Sequence, residues 1–393
     1  MADRQLFVFT VILIGISILF SYSLSSYIVV LFGYSDFHFV IRQAIFGLLS
    51  ILIMWGLAQL NPNVWLKRIG LAIFIGSLSL MVLMPFLPAS IVSEVGGAKR
   101  WIKVVGFSLS PVEFFKVGFV YFLAWSFSRK LGHHGNMGIK QEFIRLSPYL
   151  VIFAMIMALI AVMQKDLGQV VVLSMTLLSL LIFAGTSGKV FITIMGFAMS
   201  MFLIFIMTAE HRIARIKSWW SLAQVQLGPF LPDWLLSKLH VESYSEPYQI
   251  SHSLNAINNG GIFGVGIGNG TFKLGFLSEV HTDFIFAGLA EEFGFIGVVF
   301  VVFIFLWMLQ RIFKIANRAE DKSVYLFSIG IGLILSFAFL VNAYGISGIT
   351  PIKGISVPFL SYGGSVMLGS AFGVGMVLMA SNRVNMDNGV QEK

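Results

Sequence analysis

Ten long apolar runs, each about as long as a bilayer is thick, dictate what this chain can become. They lie near residues 6–31, 40–60, 69–88, 111–128, 146–163, 167–184, 189–208, 284–309, 324–345 and 362–380. A helix rises 1.5 Å per residue, so about 20 apolar residues cross the roughly 30 Å hydrocarbon core. Only 11% of the 393 residues are charged and 57% are hydrophobic, against roughly 25% and 45–50% in a soluble domain. A water-soluble globule is excluded. The expected fold is an all-α polytopic membrane protein of ten transmembrane helices.

The first run is too long for a signal-peptide core and lacks a small-residue cleavage site leading into a soluble domain, so it reads as the first helix. The chain has no cysteine, which removes disulfides, thiolate nucleophiles and Cys-based metal sites. An even number of spans puts both termini on one side. With the ends in the cytoplasm, the inner segments hold 14 of the 26 Lys and Arg residues: Arg4, Lys67, Arg68, Arg129, Lys130, Lys140, Arg145, Lys189, Arg311, Lys314, Arg318, Lys322, Arg383 and Lys393. Residues 209–282 form an outer loop between helices 7 and 8. It exceeds the length of about 60 residues over which the positive-inside rule is counted, and without it the bias is clear. One transmembrane domain is expected over 1–380, followed by an unstructured polar tail, 381–393.

Basic residues outside the membrane go against this bias. Lys99, Arg100 and Lys103 precede span four; Arg212, Arg215, Lys217, Lys238 and Lys273 lie in the long loop; Lys353 precedes span ten. Singly, each fits a solvated or headgroup contact. Together they point to an anion handled at the outer face. Trp219, Trp220, Phe230 and Trp234 suit short interfacial helices, and the Gly-rich stretch from Asn259 to Gly275 implies close-packed backbone.

Ionisable residues within or beside the apolar runs are the candidates for chemistry. Glu113 and Lys116 share a face in the first turns of span four, after Pro111. They read either as a structural pair or as a cation held for a second carboxylate or a phosphate. Asp283 opens span eight, as a helix N-cap or as that second carboxylate. Glu291 and Glu292 follow deeper in the same span and demand protonation or partners; a buried network and a proton relay are both open. Asp166 caps the hairpin between spans five and six. Lys353 and the turn from Pro358 to Ser365 enter span ten from the same side. His133-His134 lacks metal-ligand spacing. The glycines around Gly264 do not match a dinucleotide fingerprint.

In this order the pieces resemble the SEDS family (shape, elongation, division and sporulation) of bacterial membrane glycosyltransferases. The matching stretches are GAKRWI from Gly97, Pro111 to Lys116, Gln164 to Gly168, Pro247-Tyr248-Gln249 onward to Gly270, HTDFIFA from His281, Glu291-Glu292, and PFLSYGGS from Pro358. The resemblance spans nearly the whole chain and is closer to the division branch, the FtsW-like members, than to the elongation branch, the RodA-like members. Lys165 and Ser278 stand where the family commonly has Pro.

The resemblance implies a multi-pass protein of the bacterial cytoplasmic membrane that polymerises lipid II into peptidoglycan strands at the outer face. A class B penicillin-binding protein, a transpeptidase, is the implied partner, joined by other divisome membrane proteins. On this basis Asp283 is expected as general base, with Lys116 and Glu113 in the catalytic group. Arg100, Trp101, Asp166, Gln249, His281, Thr282, Lys353, Ser361 and Gly364 are expected to bind substrate. No cofactor is fixed by the resemblance; a divalent cation, Mg or Mn, is an open option on the pyrophosphate, although no ligand cluster demands one. The rival functions are a lipid II flippase or other transporter, whose site belongs at the bilayer midplane, a cell-elongation (RodA-like) polymerase, and a non-catalytic scaffold that only recruits a transpeptidase.

Overall fold

The computed structural model describes residues 2–391 except 96, 105, 132–138, 209, 228–231, 233, 235, 236, 239 and 242–247. Its helices are α1 (Arg4–Leu24), α2 (Ser26–Phe32), α3 (His38–Ala58), α4 (Pro62–Leu83), α5 (Pro111–Lys130), α6 (Ile139–Ala158), α7 (Leu167–Ala184), α8 (Gly188–Met207), α9 (Glu210–Leu227), α10 (Tyr248–Gly260), α11 (Ile285–Asn317), α12 (Lys322–Ile346) and α13 (Gly364–Gln391). Among the described residues, nine are long and apolar enough to cross a membrane. The tenth expected span is α5, which carries Glu113, Lys116, Arg129 and Lys130. It tolerates Glu113 and Lys116 because they are buried where α4, α7, α12 and α13 wrap it, facing protein more than lipid, while Arg129 and Lys130 are exposed at its end.

Small residues let these helices touch. A Cβ on Gly118 of α5 would stand 2.4 Å from the backbone nitrogen of Phe74 in α4, and one on Gly375 of α13 would stand 3.2 Å from the Met54 Cα in α3. Without a hydrophobic drive between helices in lipid, close backbone approach of this kind supplies the packing energy.

Two ends of the bundle differ in character. At one, Asp3 pairs with Arg311, the Asp3 amide donates to Ser381 Oγ (3.0 Å), Arg383 pairs with Asp321 (2.8 Å), and Lys322 donates to the Ala184 carbonyl (2.9 Å). At the other gather the segments joining α4 to α5, α6 to α7, α10 to α11 and α12 to α13.

The structure departs from the expected fold in several places. The segment between α4 and α5 is an antiparallel meander, β1 (Val92–Val95), β2 (Ala98–Val104) and β3 (Phe107–Leu109), with Ser93 opposite Trp101 and Ile102 opposite Leu109. The first apolar run is broken at Ser25, between α1 and α2. The tail expected to be unstructured continues α13 as helix to Gln391. Trp219 and Trp220 lie on α9, a single 18-residue helix, and the Trp219 indole donates to the Gly348 carbonyl (2.8 Å), docking α9 on the segment after α12. His133-His134 and Phe230 lie outside the described residues.

The eighth span is also not one helix. At Gly294 (φ 66°, ψ −171°) α11 breaks, in a conformation that glycine reaches without penalty. The carbonyls of Glu291 and Glu292 are thereby freed and accept from the amides of Val265 and Gly266 (both 3.0 Å), while the amides of Phe295 and Ile296 donate to Gly261 and Ile262. Residues 261–266 thus supply hydrogen bonds that the helix gives up, as a non-helical backbone at membrane depth requires.

Candidate active site

Asp283 is presented by a tight turn. Glu279 has positive φ (58°), and its carbonyl receives the amides of Thr282, Asp283 and Phe284 at 3.1, 3.1 and 3.2 Å. Three neighbours staple this turn in place. Asn342 of α12 donates to the Asp283 carbonyl (2.6 Å) and to that of Ile355 (2.7 Å). Ser361 Oγ donates to the Thr282 carbonyl (2.6 Å), and the Tyr362 amide donates to that of His281 (2.8 Å). The N-cap of α11 is Phe284, with no side-chain cap bond, so the capping alternative for Asp283 is not realised.

The Asp283 carboxylate is half-buried against Gly354, where a Cβ would stand 2.5 Å from Oδ2. Burial pushes its pKa up, and the carboxylates of Glu279 and Asp166 push further, to about 6. A base with a pKa near neutrality is well matched to proton abstraction at physiological pH.

Asp166 stands at the start of α7, where its Oδ1 accepts the Gln169 amide (3.2 Å). Its burial raises the carboxyl pKa against the opposing pull of the Arg100 guanidinium and the Gln169 amide. Gln169 Nε2 donates to Glu113 Oε1 (3.0 Å), and Glu113 Oε2 pairs with Lys116 (2.7 Å). Four predicted residues, Glu113, Lys116, Asp166 and Arg100, therefore form one electrostatic group, in reach of Asp283 through Asp166. Arg100 donates Nε to the Gln164 carbonyl (2.5 Å) and Nη2 to that of Lys165 (2.8 Å), clamping β2 onto the α6–α7 hairpin.

Lys353 sits beside Asp166 on the other flank. Burial and the positive charges of Arg215 and Arg212 hold its pKa below the usual lysine value, opposed by Asp166. The long loop thus brings its own arginines to the site.

The remaining predicted residues divide into two sets. Gln249 of α10 donates to Ser278 Oγ (3.0 Å), beside Glu279, and Thr282 Oγ1 donates to Glu279 Oε2 (2.9 Å). Trp101 lies half-buried on β2 next to Arg100. These border the turn. By contrast, Ser361 is buried with its hydroxyl committed to Thr282 and Val357, and a Cβ on Gly364 would strike the Phe46 ring at 2.6 Å. Both support the turn from behind. His281 is buried between Phe39 and Tyr362 (5.4 and 5.5 Å between ring centroids), and burial lowers its pKa, favouring neutral imidazole.

Lys273 leaves the expected outer cation cluster. It is buried and paired with Glu292 (2.6 Å) and also reaches Ser23 Oγ (3.0 Å). Glu291 accepts from the Thr271 amide (2.6 Å), the Phe272 amide (3.2 Å) and Asn259 Nδ2 (3.0 Å). The deep acids are a structural network around the helix break.

Glu279, Gln169, Asn342 and Gly354 were not singled out from sequence. Asn342 offered a signal, a lone amide near the end of an apolar span; Gly354 offered none. Among the described residues, the non-glycine positions with positive φ are Lys165, Glu279 and Phe359. Each lies within four residues of Asp166, Asp283 or Ser361, and backbone of this kind clusters at functional sites in proteins.

The sequence profile of the FtsW/RodA/SpoVE family, described as "Cell cycle protein", matches residues 4–386. The chain is 46% identical over 377 residues to a "Probable peptidoglycan glycosyltransferase FtsW" of Helicobacter pylori (strain ATCC 700392 / 26695), covering 96% of this chain and 97% of that one. It is 31% identical over 382 residues to the protein of the same description from Geobacter sp. (strain M18), covering 97% of each. Among solved structures, it superposes with TM-score 0.69 and 21% identity on a chain from a study described as "Structural coordination of polymerization and crosslinking by a peptidoglycan synthase complex", covering 98% of each. The rod shape determining protein RodA of Thermus thermophilus gives TM-score 0.63 at 19% identity, covering 97% of each; at such identities the likeness speaks for the fold. The chain belongs to the FtsW/RodA/SpoVE family of cell cycle proteins.

Proposed function

We propose that this protein is a peptidoglycan glycosyltransferase of the bacterial cytoplasmic membrane that polymerises lipid II into glycan strands during cell division. The observation that carries this reading is the Asp283 carboxylate, half-buried against Gly354 with a pKa of about 6, in a neighbourhood supplied with Arg100, Lys116, Lys353, Arg212 and Arg215. The relatives described as peptidoglycan glycosyltransferases match over nearly their whole length. Their FtsW designation favours the division branch over the RodA-like alternative.

The end of the bundle rich in Arg4, Lys67, Arg68, Arg129, Lys130, Arg311 and Arg383 faces the cytoplasm by the positive-inside rule. Asp283 then opens to the outer leaflet, where the pyrophosphate of a lipid-linked sugar sits. Asp283 takes the proton from the acceptor 4-hydroxyl as that oxygen attacks the donor anomeric carbon with inversion. The bond to the lipid pyrophosphate breaks, and the developing charge is met by Lys353 and Lys116. A pyrophosphate leaves as an anion, so one carboxylate suffices where glycosidases need two. Among the described residues no three His, Asp or Glu side chains are grouped to hold a metal, and no step is assigned to one.

A crosslinking partner follows from the same reading: glycan strands need a transpeptidase, and the structural neighbour comes from a complex described by polymerization and crosslinking together. We assign the crosslinking role to a class B penicillin-binding protein, which other divisome membrane proteins join. A flippase would share the broken helix at Gly294, but its freed carbonyls and adjacent acids are held by the chain's own loop.

Purified with its partner and lipid II, the protein should form glycan ladders on a gel. Asp283→Asn should abolish them while keeping partner binding. Ladders made by Asp283→Asn would reject the base assignment, and none from the unaltered complex would reject the polymerase.

A further inference from the structure

Polymerisation joins two lipid-linked substrates, so on the reading above the protein must hold two pyrophosphates. The residues already placed account for one, on the flank formed by Lys353, Arg212, Arg215 and Asp166. We infer that Arg42, at the start of α3, anchors the second: the pyrophosphate of the lipid-linked acceptor. This rests on the polymerase reading and assigns a residue to a subsite of it.

Arg42 lies in the second turn of α3 and is exposed. Its guanidinium acts electrostatically on the Tyr362 phenol and on His38. The Tyr362 amide in turn donates to the carbonyl of His281, two residues before Asp283. Gln43, the next residue, ties α3 to the same turn, donating Nε2 to the Ser361 carbonyl (3.2 Å) and accepting the Gly363 amide on Oε1 (3.3 Å). The arginine therefore stands on the scaffold that carries the Asp283 carboxylate, with no carboxylate salt bridge among the described residues.

The surroundings fit a lipid-borne anion. His38 stacks on Tyr34 at 4.4 Å, and Phe39 meets both His281 and Tyr362 edge-on (5.4 and 5.1 Å). Rings set beside a cation suit the apolar faces of a sugar next to its phosphates. His281 Nδ1 is buried with no hydrogen-bond partner, an open polar position within this cluster. Val30, Leu31 and Phe32 of α2, immediately before it in the chain, are 81%, 59% and 65% exposed. They offer the prenyl chain an apolar surface next to the charged group. Guanidinium is the side chain best shaped for bidentate phosphate contact.

The test counts bound lipid. Native mass spectrometry of the full-length protein in neutral phosphatidylcholine nanodiscs, with undecaprenyl pyrophosphate as probe, should show two equivalents on the unaltered protein and on Asp283→Asn. Arg42→Ala should keep one, and the equivalent it keeps shows that it is folded; Lys353→Ala should lose the other. Arg42→Lys should retain the second equivalent more weakly. Loss of both equivalents or of neither by Arg42→Ala, or a single equivalent on the unaltered protein, overturns the proposal. Displacement of the Arg42-dependent equivalent by excess phosphatidylglycerol overturns it too, because it marks a general anionic-lipid site. In turnover, Arg42→Ala should raise KM for lipid II by about tenfold or more, the effect of losing a charge-assisted contact, with kcat little changed. The count reads binding and not turnover, so it succeeds or fails separately from the Asp283→Asn ladder test.

Discussion

Gly354 and Asp283 are in direct contact: no side chain fits at position 354 without meeting the carboxylate, since a Cβ there would stand 2.5 Å from Oδ2. The segment that carries Lys353 thereby sets the position of the acid. Gly354→Ala should leave folding intact, because the position is exposed, yet turn Asp283 away from its working geometry. A misplacement of about 1 Å costs on the order of 100-fold in rate. Ladder formation should fall by that order, with the melting temperature within a few degrees of the unaltered protein; full activity in Gly354→Ala would show that the contact does not set the acid.

The pH dependence has a definite sign. If Asp283 is the base proposed above, it works only when ionised, and its pKa is about 6, so polymerisation should rise through pH 6 and level off above pH 7. Glu279 is one cause of that elevation. Glu279→Gln removes its charge, and the acid limb of the profile should move to lower pH. The linked stability runs the other way. A carboxyl pKa raised by folding contributes stability below its unfolded value of about 4, lost as pH rises through 6. Asp283→Asn should therefore melt higher than the unaltered protein at pH 8 and gain less at pH 4. Both limbs can be read from rate profiles and melting curves of the same three proteins.

Lys273 and Glu292 form a pair almost wholly removed from solvent, with side chains 3% and 0% exposed. Breaking such a pair on one side leaves an uncompensated buried charge, at a cost of about 3–5 kcal/mol. Lys273→Met alone should lower the melting temperature sharply and reduce yield. Lys273→Met with Glu292→Gln should recover much of the loss, because no charge is then stranded. Equal destabilisation in the single and double variants would mean that the pair does not hold residues 261–276 against the break at Gly294.

How far the sequence could be read depended on how local each signal was. The ten apolar runs were legible as helices because apolar length is a property of contiguous residues; nine of these helices are long and apolar enough to cross a membrane among the described residues, and α5 stood out despite its charges. Asp283, Asp166, Glu113 and Lys116 were legible because ionisable groups at the ends of apolar runs are costly and so few. Lys273 was misplaced because its loop position resembles that of Arg212 and Arg215; only folding the Gly-rich stretch back onto α11 reveals its partner. The strands between α4 and α5 were missed because segments of three to seven residues carry too little alternation to register. Gly294 gave no warning of a break, since glycine is common within membrane helices. Gly354 reads only as a turn glycine until the carboxylate beside it is seen.

Glu113 and Lys116 leave two roles to separate, a structural pair in α5 and a cation for the substrate, and one set of variants does so. The pair is buried, at 2.7 Å, and Gln169 bridges it to the α7 N-terminus that Asp166 caps. Lys116→Met strands the Glu113 carboxylate, so it should lose both stability and polymerisation. Lys116→Met with Glu113→Gln removes both charges while the amide oxygen now at position 113 still accepts from Gln169, so the melting temperature should return to within a few degrees of the unaltered protein. If Lys116 meets the leaving pyrophosphate, polymerisation stays absent in this restored fold, because a preorganised cation is typically worth about 100-fold or more in rate. Recovery of ladders by the double variant would confine Lys116 to structure and leave the leaving-group charge to Lys353 and its neighbouring arginines.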